Sequence, residues 1–225
     1  QEVVFLMDRF GYVKTVDVGT YDRNREAADS ENKYVVHCIN TGKICIFTDT
    51  GKLHQIKVLD VPYGKFRDKG TPVDNLSNYS SSEEQIIMIC DAEQMRFAKL
   101  LFATKQGMLK RVEGTEFQVS KRTVVATKLQ EQDALISVDV VTESQNVVLR
   151  TKGGYFLRFP AEEVPEKKKG AVGVRGIKLQ KKDELEQIYL FEEGTETKVP
   201  YGQKEVTLNR LKQSHRDTMG TKNRN

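Results

Sequence analysis

Tryptophan is absent, and cysteine and histidine are scarce, at three each in 225 residues. Without tryptophan there is no Trp-Asp dipeptide of the kind that marks WD-type repeats. Cys38, Cys45 and Cys90 are odd in number and lack CxxC spacing. They fit small buried hydrophobes in a reducing compartment better than a disulfide framework or a thiolate metal site. His37, His54 and His215 are scattered, so they supply neither a metal set nor a Ser-His-Asp triad. No run of about 18 apolar residues exists, so no membrane-spanning helix is expected. Gly170, Gly173 and Gly176 do not open a helix after a strand, which excludes a phosphate-cradling loop; they fit turns and close approaches in a β array. The pairs Glu162–Glu163 and Glu192–Glu193 lie in polar surroundings, and neighbours on a strand face opposite sides, so neither makes a paired acid and base. No catalytic residue, metal or cofactor is expected of this chain.

What the sequence does contain is a repeat. Within 147–179 an apolar strand (Val147, Val148, Leu149) meets a turn at Gly153-Gly154. A second strand follows through Tyr155, Phe156, Leu157 and Phe159, and then a basic loop. Strand, glycine turn, strand is a β-hairpin signal. Counted from Gly154, Phe156 and Phe159 stand at plus two and plus five, and Thr151 at minus three. Gly107 repeats this with Leu109, Val112 and Thr104, and Gly51 with Leu53, Ile56 and Thr48. Gly11 repeats it with Val13, Val16 and Asp8 in the threonine position. The four glycines are 40, 56 and 47 residues apart. A second anchor falls at Leu76, Leu129 and Leu179, and Leu-Gln-x-x-Asp-x-Leu starts at the last two.

A period of roughly 40–50 residues with several strands per unit predicts a propeller-type array of small antiparallel sheets, each burying its faces on its neighbours. A β-sandwich with similar hairpins is the alternative. The expected units are 1–33, 34–85, 86–134, 135–185 and 186–225, together one domain over 1–225. In the last, degraded copy, His215 to Thr221 echoes Arg67 to Thr71. Residues 20–33 are expected as a flexible polar loop, 194–202 as a polar connection, and single helical turns near Phe117 and over 161–164. Gln1 is no initiator, so the chain reads as a piece of a longer polypeptide, with no signal peptide in view.

The net charge is only +4, but it is unevenly spread. Residues 166–182 hold seven Lys or Arg and one Glu, and 204–225 hold six basic and two acidic residues. Acidic residues gather elsewhere, at Glu83-Glu84 and Glu192-Glu193. Basic clusters in corresponding loops of successive repeats are the footprint of a polyanion site, against the alternative of solvated lysine loops. Tyr21, Tyr63, Phe66 and Phe117 near these loops read as packing residues rather than base-stacking platforms.

Three stretches carry a family resemblance: Phe-Ala-Thr-Lys-x-Gly-x-Leu-Lys-Arg-Val (102–112), Gly-Val-Arg-Gly-Ile-Lys-Leu (173–179) and Arg-Asp-Lys-Gly-Thr-Pro-Val-x-Asn-Leu (67–76). They resemble the C-terminal domain of the A subunit of bacterial type IIA topoisomerases, DNA gyrase and topoisomerase IV, over nearly the whole chain. The resemblance implies an all-β pinwheel of about five four-stranded blades that exchange a strand with their neighbours. It implies duplex DNA bound and bent on a basic rim, to be presented to a cleavage core for ATP-dependent strand passage. The strand-cleaving tyrosine lies in another part of such subunits, so no tyrosine here inherits that role. A homodimeric parent subunit, an ATPase B-type partner and a cytoplasmic, nucleoid-associated setting without a membrane also follow from the resemblance. Gyrase is expected to carry a Gln-Arg-Arg-Gly-Gly-Lys-Gly box in the loop of its first blade. Here that loop is Tyr21 to Asp29, without the box, which leans towards topoisomerase IV and leaves a divergent gyrase open. A propeller-type protein-interaction platform is the reading from another class. By the resemblance, DNA contacts fall on Lys65, Arg67 and Lys69; Lys121 and Arg122; Lys167, Lys168, Lys169 and Arg175; and Arg216 and Lys222. Lys110, Arg111 and Arg158 rank second.

Overall fold

The glycine turn that marks the repeat is built the same way four times. In each, the glycine N–H donates to the carbonyl three residues back: Gly11 to Asp8, Gly51 to Thr48, Gly107 to Thr104 and Gly154 to Thr151, at 2.9–3.2 Å. All four glycines have φ between 80° and 90°, the left-handed region that a bulged hairpin turn requires and that glycine enters without strain. In three of the four turns the side-chain oxygen of the residue at minus three caps the turn, while the Thr48 hydroxyl donates to Glu84 instead. Asp8 accepts from the Phe10 and Tyr12 N–H groups, Thr104 from Met108 and Thr151 from Tyr155. The second anchor is explained by the same turns. The aspartate of Leu-Gln-x-x-Asp-x-Leu reaches back to the hairpin tip, Asp133 accepting from the Gln106 N–H and Asp183 from that of Gly153.

The computed structural model describes residues 1–223; Arg224 and Asn225, the end of the basic tail, lie outside the described residues. The strands are β1 (Glu2–Asp8), β2 (Tyr12–Asp17), β3 (Asn32–Ile39), β4 (Lys43–Thr48), β5 (Lys52–Lys57) and β6 (Thr71–Pro72). There follow β7 (Ile86–Asp91), β8 (Lys99–Thr104), β9 (Met108–Glu113), β10 (Thr123–Val125), β11 (Leu135–Val141) and β12 (Gln145–Thr151). The last are β13 (Tyr155–Pro160), β14 (Val174–Arg175), β15 (Leu185–Glu192), β16 (Lys198–Tyr201), β17 (Lys204–Thr207) and β18 (Thr221–Lys222). They form four antiparallel four-stranded sheets, β3-β1-β2-β6, β10-β5-β4-β7, β11-β8-β9-β14 and β15-β12-β13-β18, and the hairpin β16-β17. Every four-stranded sheet follows one recipe. A hairpin is flanked on its first strand by the next long strand in sequence, and on its second by a two- or three-residue strand sent back from the connection that follows the next hairpin. This exchange is what defines the β-pinwheel, and the expected fold class holds. The fifth copy contributes the two-stranded hairpin.

Residues cluster into two compact units, Gln1–Phe97 with Phe117–Ala126, and Ala98–Glu116 with Thr127–Asn225. In the first, Val3, Phe5 and Val13 of one sheet pack on Ile44, Ile46, Ile56 and Ile89 of the next. In the second, Leu101, Ala103 and Leu109 pack on Val147, Leu149, Leu157 and Phe159. Each such fully buried aliphatic or aromatic side chain contributes about 1.5–3 kcal/mol. Cys38 and Cys45 are buried in the first unit and Cys90 is partly buried, all as free thiols. Burial pushes the Cys38 thiol up to about 11, as befits an inert packing residue. Among the described residues no helix is long and apolar enough to cross a membrane.

Two stretches expected as irregular are ordered. Residues 20–33 are not a flexible loop: α1 (Val18–Arg23) and α2 (Arg25–Glu31) occupy them. Asp17 caps α1 through the Thr20 N–H, and the buried Tyr21 and Ala28 pack on Val4, Leu6 and Val16. The outer face of the first sheet is apolar and is covered by these helices instead of by another sheet. The hairpin β16-β17, over the expected polar connection, does the same for the fourth sheet, setting Val206 and Leu208 against Val148, Phe156 and Phe191. A third short helix, α3 (Ala92–Arg96), is capped by Asp91. The expected single turns are 3-10 turns at Gly114–Phe117 and Ala161–Glu163, so Glu162 and Glu163 lie on a turn and not on a strand.

Candidate nucleic-acid interface

The basic loops are the segments that carry the exchanged strands. Each edges its sheet beside the second hairpin strand, and each is tied down by a side chain from that strand. In the first sheet Lys14 of β2 donates to the Phe66 carbonyl and, at 2.8 Å, to that of Asp68. Its ammonium also lies 5.0 Å from the centre of the Phe66 ring. Burial lowers the Lys14 ammonium below its ordinary range, against the opposing pull of Glu31, Asp68 and Asp8. Lys65, Arg67 and Lys69 stand exposed on this loop, with Lys69 4.5 Å above the Tyr12 ring. In the second sheet the tie is Gln55, whose amide donates to the Val119 and Lys121 carbonyls at 2.9 and 2.7 Å. Lys121 and Arg122 are exposed there, and Arg122 also donates to the Leu76 carbonyl at 3.0 Å.

In the third sheet the tie is Lys110 of β9, 1% exposed. It donates to the carbonyls of Lys168, Lys169 and Ala171 at 2.9, 3.0 and 2.8 Å. Arg111 beside it donates to the Val164 carbonyl at 2.6 Å. Lys167 and Lys168 are exposed and Lys169 is half-buried. Lys168 lies 3.6 Å from Glu116. The Glu116 carboxyl is lowered chiefly by the hydrogen bond from the Lys169 N–H. Gly173 passes so close to the strand that a Cβ there would meet the Leu109 carbonyl oxygen at 2.5 Å, and its φ is 99°; only glycine fits both demands. In the fourth sheet Arg158 holds the loop root through the Asn209 and Leu211 carbonyls at 2.9 and 3.0 Å. This loop is also stitched to the preceding one. Arg216 donates to the Glu163 and Arg175 carbonyls at 3.0 and 2.8 Å, and Arg175 grips both carboxylate oxygens of Asp217. That grip raises Arg175 and lowers Asp217. Lys222 is exposed on β18.

Within each unit the loops carry most of the residues singled out from the sequence, with two distinctions. Lys65, Arg67, Lys121, Lys167 and Lys222 make no side-chain ion pair among the described residues, whereas Arg175 and Arg216 are engaged between loops. The second-ranked Lys110, Arg111 and Arg158 are corrected: all are buried and donate to backbone carbonyls of the following connection, Lys110 from plus three past the turn glycine on one face of the strand, Arg111 and Arg158 from plus four on the other. Lys14 was missed, although a lysine three residues past Gly11 matches Lys110 three past Gly107. Of the aromatics, Tyr21 and Phe117 are buried, Phe117 edge-on to Phe47 at 5.4 Å, while Tyr63 is 58% exposed. Among the described residues no three His, Cys, Asp or Glu side chains gather to hold a metal ion.

Comparison with known proteins agrees with this geometry. The family model described as DNA gyrase C-terminal domain, beta-propeller, matches residues 98–142 and 145–191. That match takes in two of the repeats, less than half of the chain. The A subunit of DNA gyrase from Lawsonia intracellularis is 33% identical over 208 residues, covering 87% of this chain and 25% of that protein. The chain therefore spans about a quarter of that relative's length. A crystal structure of the C-terminal domain of DNA topoisomerase IV superposes with a TM-score of 0.87 at 21% identity, over 98% of this chain and 72% of that one. The E. coli ParC C-terminal domain superposes with a TM-score of 0.80 at 18% identity, over 100% of this chain and 94% of that one. At such identities the likeness is one of fold. The resemblance to the C-terminal domain of the type IIA topoisomerase A subunit, read from three short motifs, is borne out.

Proposed function

We propose that this chain is a non-catalytic module that binds and bends duplex DNA for a type IIA topoisomerase A subunit, presenting the duplex to a cleavage core for ATP-dependent strand passage. The observation that carries the reading is the placement of exposed lysine and arginine on all four exchange loops, each loop held in shape by a side chain of the sheet beneath. Lys65, Arg67, Lys69, Lys121, Arg122, Lys167, Lys168, Lys169 and Lys222 are the proposed phosphate contacts. Such contacts give affinity through released counterions without reading sequence. Arg175 and Arg216 join them at the stitch between two loops. The scheme calls for no cofactor in this domain. The parent would be a homodimer with an ATPase B-type subunit, working in the bacterial cytoplasm at the nucleoid.

Asp217 sits where it competes with phosphate for Arg175. Asp217→Asn is expected to raise affinity for a short duplex several-fold and to steepen the salt dependence by up to about one unit of log–log slope. The asparagine keeps the left-handed φ of 65° at that position without strain. Filter binding or fluorescence anisotropy across a salt series reads both numbers, and an unchanged or weaker affinity would count against Arg175 as a phosphate contact.

Two parents remain to be separated. The missing Gln-Arg-Arg-Gly-Gly-Lys-Gly run favours topoisomerase IV: the first hairpin's connection, which in the later repeats bears a basic loop, is taken by α1 and α2. The name of the relative from Lawsonia intracellularis favours gyrase. The deciding experiment seals nicked plasmid with ligase in the presence of the chain at low salt and reads the linking number. A large shift of constant sign supports a gyrase-like wrapping module, and a small one a topoisomerase IV-like bender. No binding at low salt would sink the nucleic-acid reading and favour a protein-interaction platform.

A further inference from the structure

The three carbonyls around Lys110 form a cation bowl, and the geometry points to Lys110 as the positioning residue that shapes the Lys167–Lys169 loop for a polyanion without touching it. This deepens the DNA-binding reading and rests on it. The three acceptors belong to one short stretch, the carbonyls of Lys168, Lys169 and Ala171, all within 3.0 Å of a single ammonium nitrogen. Turning these carbonyls inward turns the side chains of that stretch outward. Three carbonyl oxygens turned towards one point repel one another and would be left without donors, so the loop needs an interior cation to hold this shape. The ammonium of Lys110 also lies 5.4 Å from the centre of the buried Phe102 ring, which fixes its stem from below. With the side chain 1% exposed, water cannot substitute for it. Burial pulls the Lys110 ammonium down to about 8, against Glu116, the mark of a charge enclosed by dipoles rather than solvent. Lys14 does the same for the loop of the first sheet with two carbonyls, so the device recurs.

A bowl that accepts an ammonium group should accept one that is not covalently attached. The test uses the whole chain and a short fluorescent duplex. K110M keeps the hydrocarbon stem over Phe102 and deletes the donors; K110A also opens a space. Both are expected to lose roughly tenfold in affinity, the cost of ordering the loop at the moment of binding. Added methylammonium should restore K110A towards the wild type, whereas tetramethylammonium at equal concentration, having no N–H donor, should act only as salt. A readout that needs no DNA runs in parallel: trypsin should cut between Lys167 and Lys169 faster in K110A, and methylammonium should slow that cut. Circular dichroism identifies a variant that has lost its fold, in which case K110M, with packing intact, carries the test. The inference is overturned if K110M binds like the wild type, or if methylammonium and tetramethylammonium act alike on K110A in both readouts. If the wild type itself does not bind duplex at low salt, it is the DNA reading that fails, and the trypsin readout still judges the bowl.

Discussion

Changing Lys167, Lys168 and Lys169 together to glutamine is expected to weaken duplex binding by roughly a hundredfold at about 0.1 M salt and to lower the slope of log affinity against log salt by about two to three units. The size follows from the charge count. Each phosphate neutralised releases about 0.9 of a counterion, which at about 0.1 M salt is worth nearly tenfold per contact. Lys167 and Lys168 reach solvent freely and Lys169 in part. Lys168 shares its charge with Glu116 at 3.6 Å, a pair whose lysine end stands in solvent and which therefore contributes little to stability. The triple change should therefore leave the melting temperature almost unmoved while it strips affinity. A charge-matched control, K33Q/K198Q/K204Q, removes three exposed lysines that lie off the four exchange loops. Under a diffuse electrostatic attraction both triples would lose the same affinity and slope. Under the loop model the control loses far less. Equal losses in an anisotropy titration would show that net charge, not loop placement, drives binding.

The hairpins were legible in the sequence because their chemistry is local. A capping Thr or Asp, a glycine three residues later, and apolar residues at plus two and plus five each leave a mark within about ten residues. The repeat and its fold class followed from these marks. The exchanged strands left motifs but no strand period: β6, β14 and β18 are two residues long, and what makes them strands is the partner edge, which lies one repeat away in sequence. The helices α1 and α2 were missed for a related reason. Their buried contacts come down to Tyr21 and Ala28, too few to set a helical period, and their stability comes from the apolar sheet face they cover. The charged candidates divide on direction. Composition counts Lys110 and Lys168 alike, yet the first is buried and the second exposed, because a residue on a strand takes its facing from register and a residue on a loop from what holds the loop.

The largest loss of stability is expected from Glu84→Ala, about 3–5 kcal/mol, or roughly 10 °C in Tm for a chain of this size. Glu84 is 7% exposed. Its carboxylate accepts from His54 Nε2 at 3.0 Å, Thr48 at 2.8 Å, Thr50 at 2.9 Å and the Ser80 N–H at 3.0 Å. Deleting it leaves a buried imidazole and a buried hydroxyl without their acceptor, and the full desolvation cost of those groups is then unreturned. Burial alone would raise the Glu84 carboxyl, but the bonds from His54, Ser80, Thr48 and Thr50 outweigh it and hold it at about 2. A folded-state value below the ordinary 4.5 means that the folded chain binds fewer protons. The corresponding stability, about 3 kcal/mol, is then present above about pH 4.5 and lost as pH falls through about 2. Urea denaturation between those limits should show a steep fall for the wild type and a shallower one for Glu84→Gln. The network also reaches the interface, since His54 Nδ1 meets Thr123 at 2.8 Å on β10, next to Arg122. Glu84→Ala should therefore loosen the exchanged strand of the second sheet and weaken the DNA contacts of Lys121 and Arg122 at temperatures where the rest of the chain is still folded. A variant that melts within about 2 °C of the wild type would show that these buried donors find other partners, and that the strand is held by its backbone pairing alone.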